Sequence, residues 1–153
     1  MTDPAIPTPP IRAATAGDAA EIARLLTMLG HPTTAEAVAA RWPEWTAAGS
    51  AAFVAAGTDG TLLGVATLHR MSVLHRPRPV GRITSLVVDA AARGQGIGRA
   101  LVAAAEAELT RAGCGLLEVT SNLRRVDAHA FYEHLGYERT SYRFFKNLVR
   151  AAP

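Results

Sequence analysis

Arg93-Gly94-Gln95-Gly96-Ile97-Gly98-Arg99-Ala100 is the stretch of this 153-residue chain whose residue types and spacing could do chemistry. Glycines at alternate positions leave a turn almost bare of side chains, so consecutive backbone N–H groups can point at one ligand. A helix follows at once, with Gly98, Leu101, Val102, Ala105 and Leu109 on one face. The start of a helix has unpaired N–H groups and the positive end of the helix dipole, and both favour an anion. Arg93 and Arg99 add fixed positive charge. The ligand this implies is a phosphate, above all a pyrophosphate.

Spacing narrows the phosphate class. A P-loop needs Gly-Lys-Ser/Thr at its end, and none is present. The dinucleotide fingerprint G-x-G-x-x-G fails in both registers: counted from Gly94 its third position is Arg99, and from Gly96 it is Leu101. The turn also lies several residues beyond the apolar strand Ile83-Thr84-Ser85-Leu86-Val87-Val88. What remains is Arg93-x-x-Gly96-x-Gly98 after a strand ending Val-Val-Asp. This resembles the pyrophosphate motif of the GNAT-type acyl-CoA N-acyltransferases. A second stretch, Ala130-Phe131-Tyr132-Glu133-His134-Leu135-Gly136-Tyr137, is similar to that family's late helix and turn. The resemblance covers roughly residues 12 to 148, and its specific part runs from Ile83 to Tyr137. A plain tight connection is the competing reading of the turn, but it gives no reason for two arginines and a helix start to coincide.

The surrounding pattern supplies elements to position these residues. Met1 to Pro10 is a flexible proline-rich tail, and residues 11–150 are expected to form one domain. Ile11 to Thr15 reads as a strand. Ala20 to Leu29 reads as a helix that Gly17-Asp18 can cap and Gly30 ends. Thr33-x-x-Glu36 has capping-box spacing for a second helix, expected to run to Trp42 with Pro43 bending or ending it. Ala51–Ala56, Leu62–Leu74 and Gly81–Val88 read as strands, the first two joined by the hairpin signal Thr58-Asp59-Gly60-Thr61. The basic connection His75-Arg76-Pro77-Arg78-Pro79 reads as a solvated loop, with attraction of an acidic partner as the sharper alternative. Leu116–Thr120 is a further strand, Ala128–Leu135 a helix that Asp127 can cap and Gly136 closes, and Tyr137–Leu148 one or two closing strands. The order βααβββαβαβ defines an α/β fold with a mixed, partly antiparallel central sheet flanked by helices. The resemblance adds a splay between two parallel central strands.

Composition sets the outer bounds. Hydrophobic residues make up 49% and charged residues 19%, as in a globular protein, and a net charge of +3 does not argue for nucleic acid. The single cysteine, Cys114, permits no internal disulfide and suits a reducing, cytoplasmic location. No membrane span and no metal-ligand cluster is legible.

What the resemblance implies is direct attack of an amine on the thioester of acetyl-CoA, used as co-substrate without a metal. Leu86, Val87 and Val88 would contact the acyl and pantetheine groups, with a backbone N–H of Val87 or Val88 polarising the thioester carbonyl. Arg93, Gly94, Gln95, Gly96, Ile97, Gly98, Arg99 and Ala100 would hold the pyrophosphate, and Asn122 would touch pantetheine or substrate. Tyr132 would protonate the leaving thiolate. Family members often carry Glu or His on the strand that here has Arg82 and Thr84, so Glu118 on the next strand is the candidate base; an ion-pair role for it, or a water chain to bulk, are the alternatives. Trp42 and Trp45 would border the acceptor pocket or merely cover the sheet.

The function these readings favour is N-acetyl transfer to a primary amine of a small molecule, amino acid or peptide. A polycationic acceptor is disfavoured by the scarcity of clustered acids. A non-catalytic acyl-CoA-binding regulatory module is the alternative from another class, and it would have no need of Tyr132. The aromatic stretch Tyr142-Arg143-Phe144-Phe145 could pair with a second copy in a homodimer.

Overall fold

The computed structural model describes residues 7–149; most of the proline-rich tail, residues 1–6, lies outside them, as do residues 150–153. Contacts divide the chain into two compact units, one ending at Val119 and the other beginning at Thr120.

The first unit is built on a five-stranded sheet in the spatial order β1-β2-β3-β4-β5. The strands are β1 (Ile11–Ala13), β2 (Ser50–Ala56), β3 (Leu62–Met71), β4 (Val80–Val88) and β5 (Leu116–Val119). Neighbours from β1 to β4 are antiparallel, and β4 with β5 is parallel. The helices are α1 (Ala19–Leu29), α2 (Ala35–Ala47) and α3 (Ile97–Arg111). Side-chain alternation along the strands fills both faces. On one face Ile22 and Leu25 of α1 pack with Val54, Val65 and Val87, and Trp42 and Trp45 of α2 lie against that cluster. On the other, a Cβ added to Gly64 would meet Leu101 and Ile97 of α3 at 3.0 and 3.1 Å, and one at Gly81 would meet Leu109 at 2.6 Å. Glycine at these two positions lets α3 lie close on the strands.

Most of the expected elements form, with local departures. α1 ends as predicted: Gly30 adopts φ +105°, and His31 N–H returns to Leu26 O at 3.0 Å. α2 runs through Pro43 to Ala47 and does not stop at Trp42; Thr46 Oγ1 donates to Trp42 O at 2.9 Å, in the turn that follows the proline. β3 stops at Met71 and not at Leu74, because the proline-bearing connection to β4 cannot continue a ladder.

The second unit holds α4 (Val126–His134). It starts earlier than expected, and Asp127 falls inside its first turn and does not cap it; the N-cap is Arg125. Its end is as read: Gly136 has φ +91°, with Gly136 N–H to Glu133 O and Tyr137 N–H to Tyr132 O, both at 3.0 Å. The closing strands expected over Tyr137–Leu148 are absent from the described residues. Tyr142, Phe144, Phe145 and Leu148 are exposed there.

Asp89 closes β4. Its N–H donates to Leu63 O at 2.8 Å, its Oδ1 accepts from Ala91 N–H at 3.0 Å, and its Oδ2 accepts from Arg24 Nη1 at 2.7 Å. The Ala91 bond first, and Arg24 after it, hold the carboxyl below the usual carboxylate range. Asp89→Ala is expected to cost about 1–2 kcal/mol, read from the denaturant midpoint. A depressed folded pKa gives stability that is complete above the unfolded value of about 4 and lost as pH falls through the folded value. The difference between wild type and Asp89→Ala is therefore expected to close on acidification below about pH 4.

Candidate active site

Beyond Asp89 the chain makes a 3-10 turn, Ala90–Ala92, and reaches the glycine stretch at Arg93. Gly94 and Gly96 have φ of +80° and +75°, the left-handed region that favours glycine. A Cβ at Gly94 would meet nothing within 4 Å, and one at Gly96 would meet Thr8 Oγ1 at 3.6 Å. Backbone conformation, not crowding, thus demands glycine here, and the space above the turn is open to a ligand. Gly96 is the N-cap of α3, and no side chain caps it. Ala100 N–H already donates to Gly96 O at 3.0 Å. The helix geometry therefore leaves the N–H groups of Ile97, Gly98 and Arg99 facing out of its end. Ala100, expected among the pyrophosphate ligands, has its donor committed to the helix. Ile97 is fully buried, so only its backbone faces the turn. Gln95 is half-buried; Arg93 and Arg99 are exposed, and neither is in an ion pair among the described residues.

Just ahead of this turn β4 has one edge without a strand partner. Its parallel ladder with β5 runs from Val80↔Leu116 to Ile83↔Val119 and stops, while β4 continues to Val88. The bond from Asp89 N–H to Leu63 O sets the alternation along β4. Val87, opposite Val65, turns its N–H toward β3; Leu86 and Val88 turn theirs to the vacated edge. Of the two N–H groups considered for the thioester carbonyl, the one on that edge belongs to Val88.

A β-bulge falls where the parallel ladder ends. Thr67 pairs with Ser85 and Leu68 with Ile83, so Thr84 is the extra residue. The bulge puts Thr84 and Ser85 on one side, opposite Thr67: Thr67 Oγ1 lies 2.7 Å from Thr84 Oγ1 and is also hydrogen-bonded to Ser85 Oγ. Thr67 and Ser85 form the sheet wall of a cavity of about 540 Å³ whose other walls are α1, α2 and the loop Gly30–Thr33. Trp42 and Trp45 line it, with ring centroids 5.2 Å apart, alongside His31 and Arg41. The tryptophans cover the core cluster and border this cavity. His31, Arg41, Thr67 and Ser85 were not singled out from sequence. The available signal was the pair of hydroxyl residues Thr84-Ser85 inside an otherwise apolar strand.

Glu118 faces Arg82 across the last turn of the parallel ladder. Arg82 Nε donates to Glu118 Oε1 at 2.8 Å, and Arg82 Nη2 donates to the same oxygen. The candidate base is thus an ion-pair partner, the alternative role raised for it. In the second unit Tyr132 is half-buried, with Phe131 and Tyr137 in edge-on contact at centroid distances of 5.2 and 5.7 Å. Burial pushes its phenol above the ordinary value, against a smaller opposing effect of Arg125. Asn122 is exposed and committed to a turn: its Oδ1 accepts from Arg124 N–H at 2.9 Å, and its carbonyl accepts from Arg125 N–H at 3.0 Å and from His129 Nε2 at 2.9 Å.

Comparison with known proteins decides the family. Residues 20–137 match the model of the acetyltransferase (GNAT) family. The chain belongs to that family. It is 34% identical over 135 residues to aminoglycoside N(6')-acetyltransferase type 1 of Stenotrophomonas maltophilia, covering 86% of this chain and 88% of that one. It is 42% identical over 90 residues to an aminoalkylphosphonate N-acetyltransferase of Salmonella typhimurium, covering 59% of this chain and 58% of that enzyme. The crystal structure of an acetyltransferase from Trypanosoma brucei superposes with a TM-score of 0.81 at 26% identity, over 91% of this chain and 99% of that one.

The GNAT assignment makes the chain an acetyl-CoA-dependent N-acetyltransferase, and its mixed sheet with a parallel β4–β5 pair is the fold expected. The family match spans residues of both compact units. No helix among the described residues is long and apolar enough to cross a membrane. The glycine turn suits a pyrophosphate on the geometry given above. Charge reversal of Arg93 and Arg99 together is expected to weaken acetyl-CoA binding by about a hundredfold or more, since each charge-assisted hydrogen bond is worth about 1.5–3 kcal/mol. Calorimetric titration measures this.

Proposed function

We propose that the chain moves an acetyl group from acetyl-CoA to a primary amine of a small molecule, amino acid or peptide. The observation that carries this reading is the sequence of features along one strand. Ser85 borders a cavity of acceptor size, Val88 offers an N–H on the vacated edge, and the anion-binding turn follows directly. Both curated relatives are named as N-acetyltransferases, one for aminoalkylphosphonates and one for aminoglycosides, and an amine is what those acceptors have in common.

In this proposal the amine nitrogen attacks the thioester carbonyl carbon, and the carbon–sulfur bond breaks as the nitrogen–carbon bond forms. Val88 N–H stabilises the oxyanion. Leu86, Val87 and Val88 border the acyl and pantetheine groups. The N–H groups of Ile97, Gly98 and Arg99, with the Arg93 and Arg99 side chains, hold the pyrophosphate. Gly94 and Gly96 give it access, with Gln95 between them. The Tyr132 hydroxyl gives its proton to the departing thiolate, which its elevated pKa and half-buried setting support. The proton lost by the amine passes to water, since Glu118 is occupied by Arg82. That ion pair instead holds β4 to β5 immediately below the place where they part. A cytoplasmic location, where a lone cysteine stays reduced, belongs to the same proposal.

Thiol release from acetyl-CoA, followed across an amine panel, tests the reading. Tyr132→Phe is expected to lower kcat by about 10²–10⁴-fold, while acetyl-CoA affinity measured by calorimetry changes little. Because the phenol stays protonated beyond the ordinary tyrosine value of about 10, the wild-type rate is expected to show no loss from this group up to that pH. Retention of the full rate in Tyr132→Phe would remove the general-acid assignment.

A further inference from the structure

We propose that the acceptor is a small primary amine that also carries an anionic group, and that Arg41 holds this group on the helical wall of the cavity. The inference rests on the N-acetyl-transfer reading and adds the charge class of the acceptor. It comes from the way charge is distributed around the cavity.

The lining contains two basic side chains, Arg41 and His31, and no aspartate or glutamate. Five other arginines, Arg12, Arg24, Arg82, Arg111 and Arg139, are neutralised in ion pairs. Arg41 is in none among the described residues, although Glu44 stands one helical turn away on α2. A guanidinium without an ion-pair partner on the lining of a cavity that holds no carboxylate is a fork of donors in search of an acceptor. Phosphonate, phosphate and carboxylate groups match that fork with two parallel hydrogen bonds. The opposite wall has the opposite chemistry. Thr67 and Ser85 present hydroxyl oxygens that can accept from an amine, on the strand whose next residues face the acyl group in the proposed function. The cavity therefore offers acceptors on the sheet side and a cation on the helical side, complementary to a molecule with an amine at one end and an anion at the other. A polycation would meet Arg41 with no carboxylate in the lining to compensate it. A volume of about 540 Å³ suits such a small bifunctional molecule.

The test compares kcat/KM for thiol release with acceptors of similar length: 2-aminoethylphosphonate, phosphoethanolamine and β-alanine with an anionic group beside the amine, n-propylamine with none, and 1,3-diaminopropane with a second cation. The anionic amines are expected to exceed n-propylamine by about tenfold or more, and the ranking among the three identifies phosphonate, phosphate or carboxylate. In Arg41→Gln that ratio is expected to fall toward one, and in Arg41→Glu the diamine is expected to overtake the anionic amines. Arg41 is exposed, so neither variant disturbs the core. Equal rates for the anionic amines and n-propylamine, preference for the diamine by the wild type, or a ratio that survives Arg41→Gln would overturn the inference. So would calorimetric binding of acetyl-CoA without turnover of any anionic amine, which leaves the acetyl-transfer reading standing. Absence of acetyl-CoA binding overturns both.

Discussion

Everything at the candidate site depends on the unequal partnerships of β4. On one side it is hydrogen-bonded to β3 along its length; on the other its parallel ladder with β5 ends at Ile83↔Val119. Backbone N–H groups away from water need partners, so a strand edge that loses its neighbour is a site for something else to bind. The alternation fixed at Asp89 determines that Leu86 and Val88, and not Val87, present that edge. The Arg82–Glu118 pair sits within the last turn of the ladder, where it ties the strands together before they part.

The bulge at Thr84 and the glycine turn work on the two ends of this same segment. An extra residue in β4 places two hydroxyl side chains opposite Thr67, on the face covered by α1 and α2. Without the bulge, Thr84 and Ser85 would point to opposite faces. At the far end Asp89 couples β4 to α1 through Arg24 and to the 3-10 turn through Ala91, and so fixes where the glycine stretch begins. The proposed acceptor wall, the exposed strand edge and the proposed anion-binding helix end are consecutive along one chain segment, and a short segment needs few contacts to keep them in order.

Three arginines that tie elements together are neutralised: Arg12 to Asp18, Arg24 to Glu21 and Asp89, Arg82 to Glu118. Those at the proposed ligand sites, Arg93, Arg99 and Arg41, are not. Unneutralised cations beside an open turn or cavity repel one another and gain only when an anion arrives. They contribute to binding rather than to folding.

The sequence by itself determined the parts that depend on local chemistry. Gly94 and Gly96 stand where the backbone needs a positive φ, Gly30 and Gly136 close their helices, and Leu101, Val102, Ala105 and Leu109 bury along α3. These follow from sterics and periodicity within a few residues, which is why the family resemblance was legible from Ile83 to Tyr137. Tertiary structure decided the rest. The ion pair that occupies Glu118 joins residues far apart in sequence, and a local turn takes up the side-chain oxygen of Asn122, a residue expected to touch pantetheine or substrate. α2 continues through Pro43 because packing of Trp42 and Trp45 on the sheet offsets the lost hydrogen bond, a gain that helix propensity does not contain. The aromatic run after Tyr137 has strand-like composition, yet a strand also needs a neighbouring edge, and among the described residues no ladder includes it. The cavity is a product of assembly alone: Arg41, His31, Thr67 and Ser85 share no local motif and meet only because α1 and α2 fold over the bulged face of the sheet.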